Sequence, residues 1–592
     1  MKARISSALG SLRKLAAAAK TRISAALRRR RRRAAEVTRP REPLAVRFVS
    51  RSPLLRRIAA DMGQSLKKYI PRAAVEISPY RFAAEHLFYT LFLGLPAAAA
   101  APLLALLVHP LFLLLLFAPL ICLALPWLRL RSMIGDRKRA ADAELPFFAI
   151  HAAIGQTAGL SLYDSLCSTM GKGVLREMER GARLAKRSFR IMGTSAVGAI
   201  ERLGMEHPHP GMRALLLGYA SELRSGGNVA GYLEDKADEL LRLARHRWER
   251  YVRNVGTIAE ITLSTLLVLP LLLLMALFLS PGSVVTLGVG FLAVGIPLLI
   301  AMCFSMLRAA QPRDYTRYDG SPILPLLAAP IAGVLLLRAC PLWIAVCISA
   351  GIGFLLYGIP VMLQRAVALS QERSLPDFLR DVTELQKLNI PVAKAIVRLR
   401  ERSGYTREFR RLLDRVARQL QAGRSLSEVR VPTRSWLVRL TFFHLTQIAE
   451  SGGIAVRSME LLTDFITRVK EDRDEARSSV SIYRYISLAA PFMLAAMVGG
   501  MIGAIQMLNL PEVSGAAEGL PAGLPLSFGV PPLFRTVADA TVFLSSAGLA
   551  FLTSYAADLT PKNTVWVGLG CFLAGVAIWV TPMLSGWLVA AL

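Results

Sequence analysis

Acidic residues are scarce in this chain. It carries 41 Asp and Glu against 72 Lys and Arg, a formal charge of +31. Its six cysteines (Cys122, Cys167, Cys303, Cys340, Cys347 and Cys571) include no C-x-x-C pair, so no zinc or disulfide framework is expected. There is no G-x-x-x-x-G-K-[ST] loop: Gly171-Lys172-Gly173 lacks the upstream glycine and the hydroxyl residue that cradle a phosphate. No H-E-x-x-H is present. Prolines within His207-Pro208-His209-Pro210 forbid the one-face helical pairing of a zinc site, and that stretch is expected to be a loop. A membrane aspartyl peptidase needs paired intramembrane aspartates, and Ile134-Gly135-Asp136 sits at a basic span end where the sequence offers no second intramembrane aspartate. We therefore expect no catalytic residue, metal or cofactor.

What the chain has instead is apolar sequence. With 54% hydrophobic residues, 592 residues cannot be divided into soluble domains with polar surfaces. Several runs reach the roughly 20 residues needed to cross a bilayer. The fold class expected is all-α: a polytopic membrane protein with about nine transmembrane helices. The runs are 86–108, 111–130, 257–279, 284–307, 323–337, 342–363, 486–508, 537–555 and 565–588. Arg129, Arg131, Arg137, Lys138 and Arg139 follow the first hairpin, whereas the loop through Pro531-Pro532 carries Glu512 and Glu518 and no Lys or Arg. Basic residues collect on the cytoplasmic side. The N-terminus and the long polar segments are accordingly expected in the cytoplasm, and the net charge is read as topology and not as nucleic-acid binding.

Those polar segments are an internal repeat. Leu145-Pro146-Phe147-Phe148 recurs as Leu375-Pro376-Asp377-Phe378, and Ser225-Gly226-Gly227 recurs as Ser451-Gly452-Gly453. The two spacings are nearly equal, so the copies match with a small net deletion in the second. In that copy Leu375, Phe378, Leu379, Val382, Leu385 and Leu388 form one helical stripe. After the glycines, Leu233, Ala237, Leu240 and Leu243 correspond to Met459, Thr463, Ile466 and Val469 on a long amphipathic helix. Gly226, Gly227, Gly452 and Gly453 are expected to make structural turns. The organisation expected is a basic, partly disordered tail (1–57), a pre-membrane helix (58–85), a transmembrane hairpin (86–130) and a first cytoplasmic helical bundle (141–254). Four spans (257–363), a second homologous bundle (372–485) and three spans with an external loop (486–592) follow. An even number of crossings between the copies puts both on one side.

Two features invite partners. The tail, with its unbroken run Arg28 to Arg33, suits anionic lipid and has no aromatic platform for nucleic acid. Arg242, Arg245, Arg247, Arg250 and Arg253, on the long helix of the first copy, are candidate contacts for an acidic partner. A rival reading is a transporter or channel whose polar domains regulate it. It calls for intramembrane polar groups, and the two in view, Glu260 and Asp539, lie close to a membrane face.

The duplicated Leu-Pro-x-Phe openings, the paired glycines and the long helix feeding a span together resemble the inner-membrane platform proteins of type II secretion and type IV pilus machines. The four spans between copies fit their archaeal branch, which includes the platform of the archaeal swimming filament. The resemblance covers the chain from about Leu54 and implies a scaffold, not an enzyme, in the plasma membrane. It further implies docking on a hexameric secretion ATPase, handling of pilin-like subunits and action as a homo-oligomer, a dimer being the simplest.

Overall fold

The computed structural model describes residues 43–75, 77–107, 110–279, 290, 294–320, 323–450, 456–508 and 532–591. The Arg28–Arg33 run, Gly452 and Gly453, and the loop with Glu512 and Glu518 lie outside them. The described residues form helices and no strand, and they divide into two compact units, Met1–Arg137 and Lys138–Leu592.

In the first unit α1 (Leu44–Arg51), α2 (Pro53–Leu66), α3 (Ile70–Ala73) and α4 (Pro79–Tyr89) bury Val49, Leu66, Phe82 and Ala83. Pro53, Pro71 and Pro79 each stand in a helix's first turn, where the missing N–H is not needed. Beyond a π-helical turn comes α5 (Leu95–Leu107), then a 3-10 segment, and α6 (Ala118–Thr157) begins. Arg137 on α6 is buried, not solvated at a span end. Its guanidinium donates to the carbonyls of Arg72 at 2.7 Å and Pro71 at 3.4 Å, the electronegative end of α3.

The second unit contains both repeats. The first runs from the second half of α6 through α7 (Leu162–Ser168), α8 (Arg176–Met192), α9 (Ala196–Glu206), α10 (Pro210–Ser225) and the 51-residue α11 (Val229–Leu279). Then come α12 (Ile296–Ala310), α13 (Ile323–Leu336) and α14 (Leu342–Arg373). The second repeat is α15 (Leu375–Lys387), α16 (Val392–Leu399), α17 (Arg407–Gln421), α18 (Trp436–Glu450) and the 53-residue α19 (Val456–Leu508). It is followed by α20 (Pro532–Asp558) and α21 (Val565–Ala591).

Six helices are long and apolar enough to cross a membrane among the described residues, in α4–α5, α6, α14–α15, α19, α20 and α21. The other three expected spans coincide with the second half of α11 and with the shorter apolar helices α12 and α13. Glycines set the closest approach among the spans. A Cβ on Gly358 of α14 would stand 2.5 Å from the Val565 nitrogen, and one on Gly568 of α21 would stand 2.9 Å from the Gly351 carbonyl oxygen. Small residues let two backbones meet where lipid offers no hydrophobic drive.

Leu-Pro does not act alike in the two copies. In the second, Ser374 intervenes between α14 and α15, and Pro376 lies in the first turn of the new helix. In the first, α6 runs straight through Pro146. A proline inside a helix frees the carbonyl four residues earlier. Here that carbonyl belongs to Asp142, and Arg247 of α11 donates to it at 2.8 Å. The apolar stripes also differ slightly. Leu233, Ala237, Leu240, Met459 and Ile466 are buried, but Leu243 is 45% exposed and Leu241 is buried instead.

The repeats share one core. The Phe147 ring meets Trp436 and Phe465 edge-on at 4.9 and 5.4 Å, and the Trp436 indole donates to the Val174 carbonyl at 2.9 Å. Nearby, Nδ1 of His151 lies 3.2 Å from Nδ1 of His444, His151 stacks on Phe443, and its Nε2 is 2.9 Å from the Ser168 hydroxyl. One imidazole must be the donor and the other the acceptor, which two imidazolium rings cannot satisfy.

Both histidines stand outside the spans, since the apolar part of α6 ends at Arg129 and Arg131. Burial pushes His151 down to about 3, and burial followed by the neighbouring His151 lowers His444 well below its ordinary value. A base whose folded-state pKa is depressed contributes stability above its unfolded pKa near 6.5 that is lost as pH falls. Glu144, pushed up to about 7 mainly by burial, acts with the opposite sign. Comparing variants isolates the histidines. The difference in melting temperature between pH 7.5 and pH 5.5 should shrink clearly in His444→Gln, whose one lost group is worth about 1.4 kcal/mol at pH 5.5. An unchanged difference would mean that the pair is not neutral in the fold.

Candidate functional site

Where the repeats meet the spans, one short connection gathers contacts from most of the second unit. It is the turn between α20 and α21, residues 556–564. Asp558 closes α20 with its carboxylate fully buried. Arg365 of α14 reaches it at 2.9 Å, Arg484 of α19 forms a second ion pair with it, and the Asn563 amide donates to its other oxygen. The two guanidinium side chains are only 16% and 12% exposed. Arg484 also lies over the Trp566 ring at 4.8 Å, a cation–π contact.

The turn's own carbonyls are taken by three further groups. Tyr251 of α11 donates to Ala556 at 2.7 Å, Gln311 donates to Leu559 at 2.6 Å, and the Asn563 carbonyl accepts from Ser554 at 2.9 Å. Lys562 donates in return to the Tyr318 carbonyl at 2.7 Å. Leu559 takes a left-handed φ of 57°, so the chain turns back sharply enough to bring α21 alongside. Helices α11 and α19, one from each repeat, thus hold a single turn of the last hairpin.

Further from the spans the two long helices are joined by charge. Arg457 pairs with Glu234 at 3.0 Å, Arg245 with Asp472 at 3.7 Å and Arg468 with Asp238 at 4.0 Å. These pairs are largely exposed and each is worth under about 1 kcal/mol. They fix register more than they stabilise.

The candidate arginines separate into two groups. Arg247 is half-buried and serves the fold, holding the Asp142 carboxylate at 3.1 Å as well as its carbonyl. Arg245 is shared between Glu249 at 3.3 Å and Asp472. Arg242, Arg250 and Arg253 are exposed and make no ion pair among the described residues. Gly226 closes α10 with a φ of +72°, and Gly227 donates to the Glu222 carbonyl at 2.9 Å, turning the chain into α11. His209 caps the start of α10 by accepting from the Met212 amide at 3.1 Å, and its other nitrogen is 2.8 Å from Asp142. No group of three or more potential metal ligands occurs among the described residues.

Sequence reasoning missed Asp558, Arg365 and Arg484 because each reads singly as an ordinary residue at the end of an apolar run. It also missed Glu144. This buried carboxylate accepts from the amides of Glu177 at 2.8 Å and Met178 at 3.2 Å, at the start of α8. Its counterpart in the second copy, Ser374, accepts from the Thr406 amide at 3.0 Å at the start of α17. The residue before each Leu-Pro therefore caps a later helix of its own copy, with different chemistry. That signal was present in the register of the repeat.

Removing the shared anion leaves two buried cations unmatched, the circumstance in which breaking an ion pair costs most. Asp558→Ala should destabilise the detergent-solubilised protein by about 3–5 kcal/mol, seen as a marked fall in melting temperature. Asp558→Asn, which keeps an acceptor, should cost less. Equal melting of both variants and the parent would show that the cluster carries no stability.

No curated protein and no solved structure matches the chain. The family described as "Type II secretion system (T2SS), protein F" matches twice, over residues 148–277 and 378–503. The matches start at Phe148 and Phe378, the last residues shared by the two Leu-Pro openings, and end at Leu277 and Gly503. Starts and ends are separated by the same two spacings as the Leu-Pro and Ser-Gly-Gly motifs, so the family's own domain is the repeated unit. Proteins with this domain are inner-membrane platform proteins of secretion and pilus systems. The chain carries two copies of the type II secretion protein F domain, joined by one core and continued by apolar helices.

Proposed function

We propose that this chain is the platform of a machine that assembles pilin-like subunits into a filament, of the type IV pilus or type II secretion kind. The repeats face the cytoplasm and receive a hexameric secretion ATPase, while the spans form the base from which subunits leave the membrane. ATP hydrolysis belongs to the partner. The chain acts as a homo-oligomer, a dimer being the simplest, and its layout fits the archaeal branch of the family.

The observation that carries this reading is the continuity of α11 and α19. Each passes unbroken from the shared core of the repeats into apolar sequence, and helices of 51 and 53 residues extend about 75–80 Å at 1.5 Å per residue. Both hold the 556–564 turn, through Tyr251 and Arg484. A displacement imposed on the repeats travels along rigid rods to the last hairpin, as packed helices move in shear or rotation. The exposed Arg242, Arg250 and Arg253 give an acidic partner a place to bind.

Because the repeats share a core, the test uses the whole chain, held in lipid nanodiscs, with the secretion-type ATPase of the same cell. Binding and a change in ATP turnover are expected, both weakening between low and moderate salt. Reversing Arg242 and Arg253 to Glu should weaken binding at least tenfold without lowering the melting temperature. Absence of binding under all these conditions would overturn the reading.

A further inference from the structure

Register within the repeat exposes an arginine without its expected partner. Arg247 on α11 corresponds to Arg473 on α19 at the spacing of the Ser-Gly-Gly motifs, and Asp142 corresponds to Glu372 at the spacing of the Leu-Pro motifs. In the first copy the pair is made, Arg247 holding Asp142. In the second it is not. Glu372 accepts instead from Ser435 at 2.6 Å and pairs with Arg477 at 3.4 Å. Arg473 lies between the rings of Trp248 and Trp436, 6.0 and 5.8 Å from their centroids. Its residue is only 5% exposed, and its buried Nη1 has no hydrogen-bond partner among the described residues.

The same arginine lines a cavity of about 300 Å³ that also meets Arg247, Arg250 and Arg313. Two carboxylates line it as well. Asp142 is already shared by Arg247 and His209, and Asp472 lies 3.7 Å from Arg245. The cavity wall continues along α11 through Tyr251 to Asn254, just before the apolar run begins at Thr257. A buried guanidinium without an anion is costly, and water alone solvates it poorly when flanked by two indoles. Arginine's planar fork matches phosphate oxygens, and the two indole faces near it favour a charged guanidinium there.

We propose that this cavity binds a phosphate group, with Arg473 as its buried ligand and Arg250 at its rim. Two sources offer that chemistry, the headgroup of an anionic phospholipid and a free phosphate compound. The site completes the charge balance between the two long helices where they leave the shared core, so occupancy stiffens the junction through which the repeats act on the spans.

The test uses the full chain in nanodiscs of phosphatidylcholine or phosphatidylglycerol. Melting is followed together with tryptophan fluorescence, because Trp248 lines the site and Trp436 neighbours its arginine. Inorganic phosphate is titrated against chloride at constant ionic strength. Either phosphate should raise the melting temperature in phosphatidylcholine, identifying a free anion, or phosphatidylglycerol should raise it without added phosphate, identifying a headgroup. Arg473→Met removes the charge at similar volume and is expected to fold, with its apparent affinity at least tenfold weaker. Arg473→Gln makes the same comparison if methionine is not accommodated, and Arg473→Lys should keep part of the response. A wild-type protein indifferent to both phosphate sources would overturn the proposal, and so would an uncharged variant that responds as the wild type does.

Discussion

Everything in the second unit depends on the apolar contact between the repeats. Phe147, Trp436 and Phe465 meet in a core to which both copies contribute, and the Trp436 indole is satisfied only by a carbonyl of the other copy. Aromatic side chains of this size dominate the energetics of a core. Neither copy can leave the other without exposing them. Two domains that share a core must lie on one side of the membrane, so the apolar helices between them must cross an even number of times. The topology is thereby constrained by packing as well as by the distribution of basic residues.

From that core the two long helices inherit their course. Because α11 and α19 start side by side and are tied by Arg457–Glu234 and Arg245–Asp472, they arrive together at the turn after α20. There the charges change character, from exposed pairs that set register to Asp558, which has no exposed surface on its side chain and two arginines to match. Desolvation makes such a cluster expensive to break even where it adds little net stability. The cost falls where α11 and α19 both hold the last hairpin, and that keeps the connection from slipping.

The repeat, its two spacings and the all-helical membrane class were legible in the sequence because they rest on periodicity and register. Leu375, Phe378, Leu379 and Val382 read as one buried face, and they are one. Leu388 continued the pattern on paper but is 70% exposed, since helix α15 has ended at Lys387. The Leu-Pro motif read as a helix opening, yet α6 passes through Pro146 because Arg247, distant in sequence, takes the freed carbonyl. Long-range polar contacts of this kind have no local signature. The same holds for His151 and His444, separated by 293 positions and neutral because they are buried together. The five arginines on α11 were a single run in sequence, and only the fold distinguishes Arg247, which serves the interior, from Arg242, Arg250 and Arg253.

Duplicated domains supply an internal control that a single domain lacks. Where both copies solve the same problem, the solution is structural: Glu144 and Ser374 both cap a later helix, one with a carboxylate and one with a hydroxyl. Where equivalent residues part company, something beyond the shared fold is acting. Arg247 keeps its carboxylate, while Arg473 has ceded its own to Arg477 and Ser435 and stands between two tryptophans. At the position equivalent to Trp436 the first copy has Pro210, and at the position equivalent to Trp248 the second has Asp474. The two indoles therefore come from non-equivalent positions and converge on one guanidinium, an arrangement that duplication alone would not produce. An asymmetry built from three residues on three helices is costly to hold without an anion, and that cost is the physical ground for placing a ligand there.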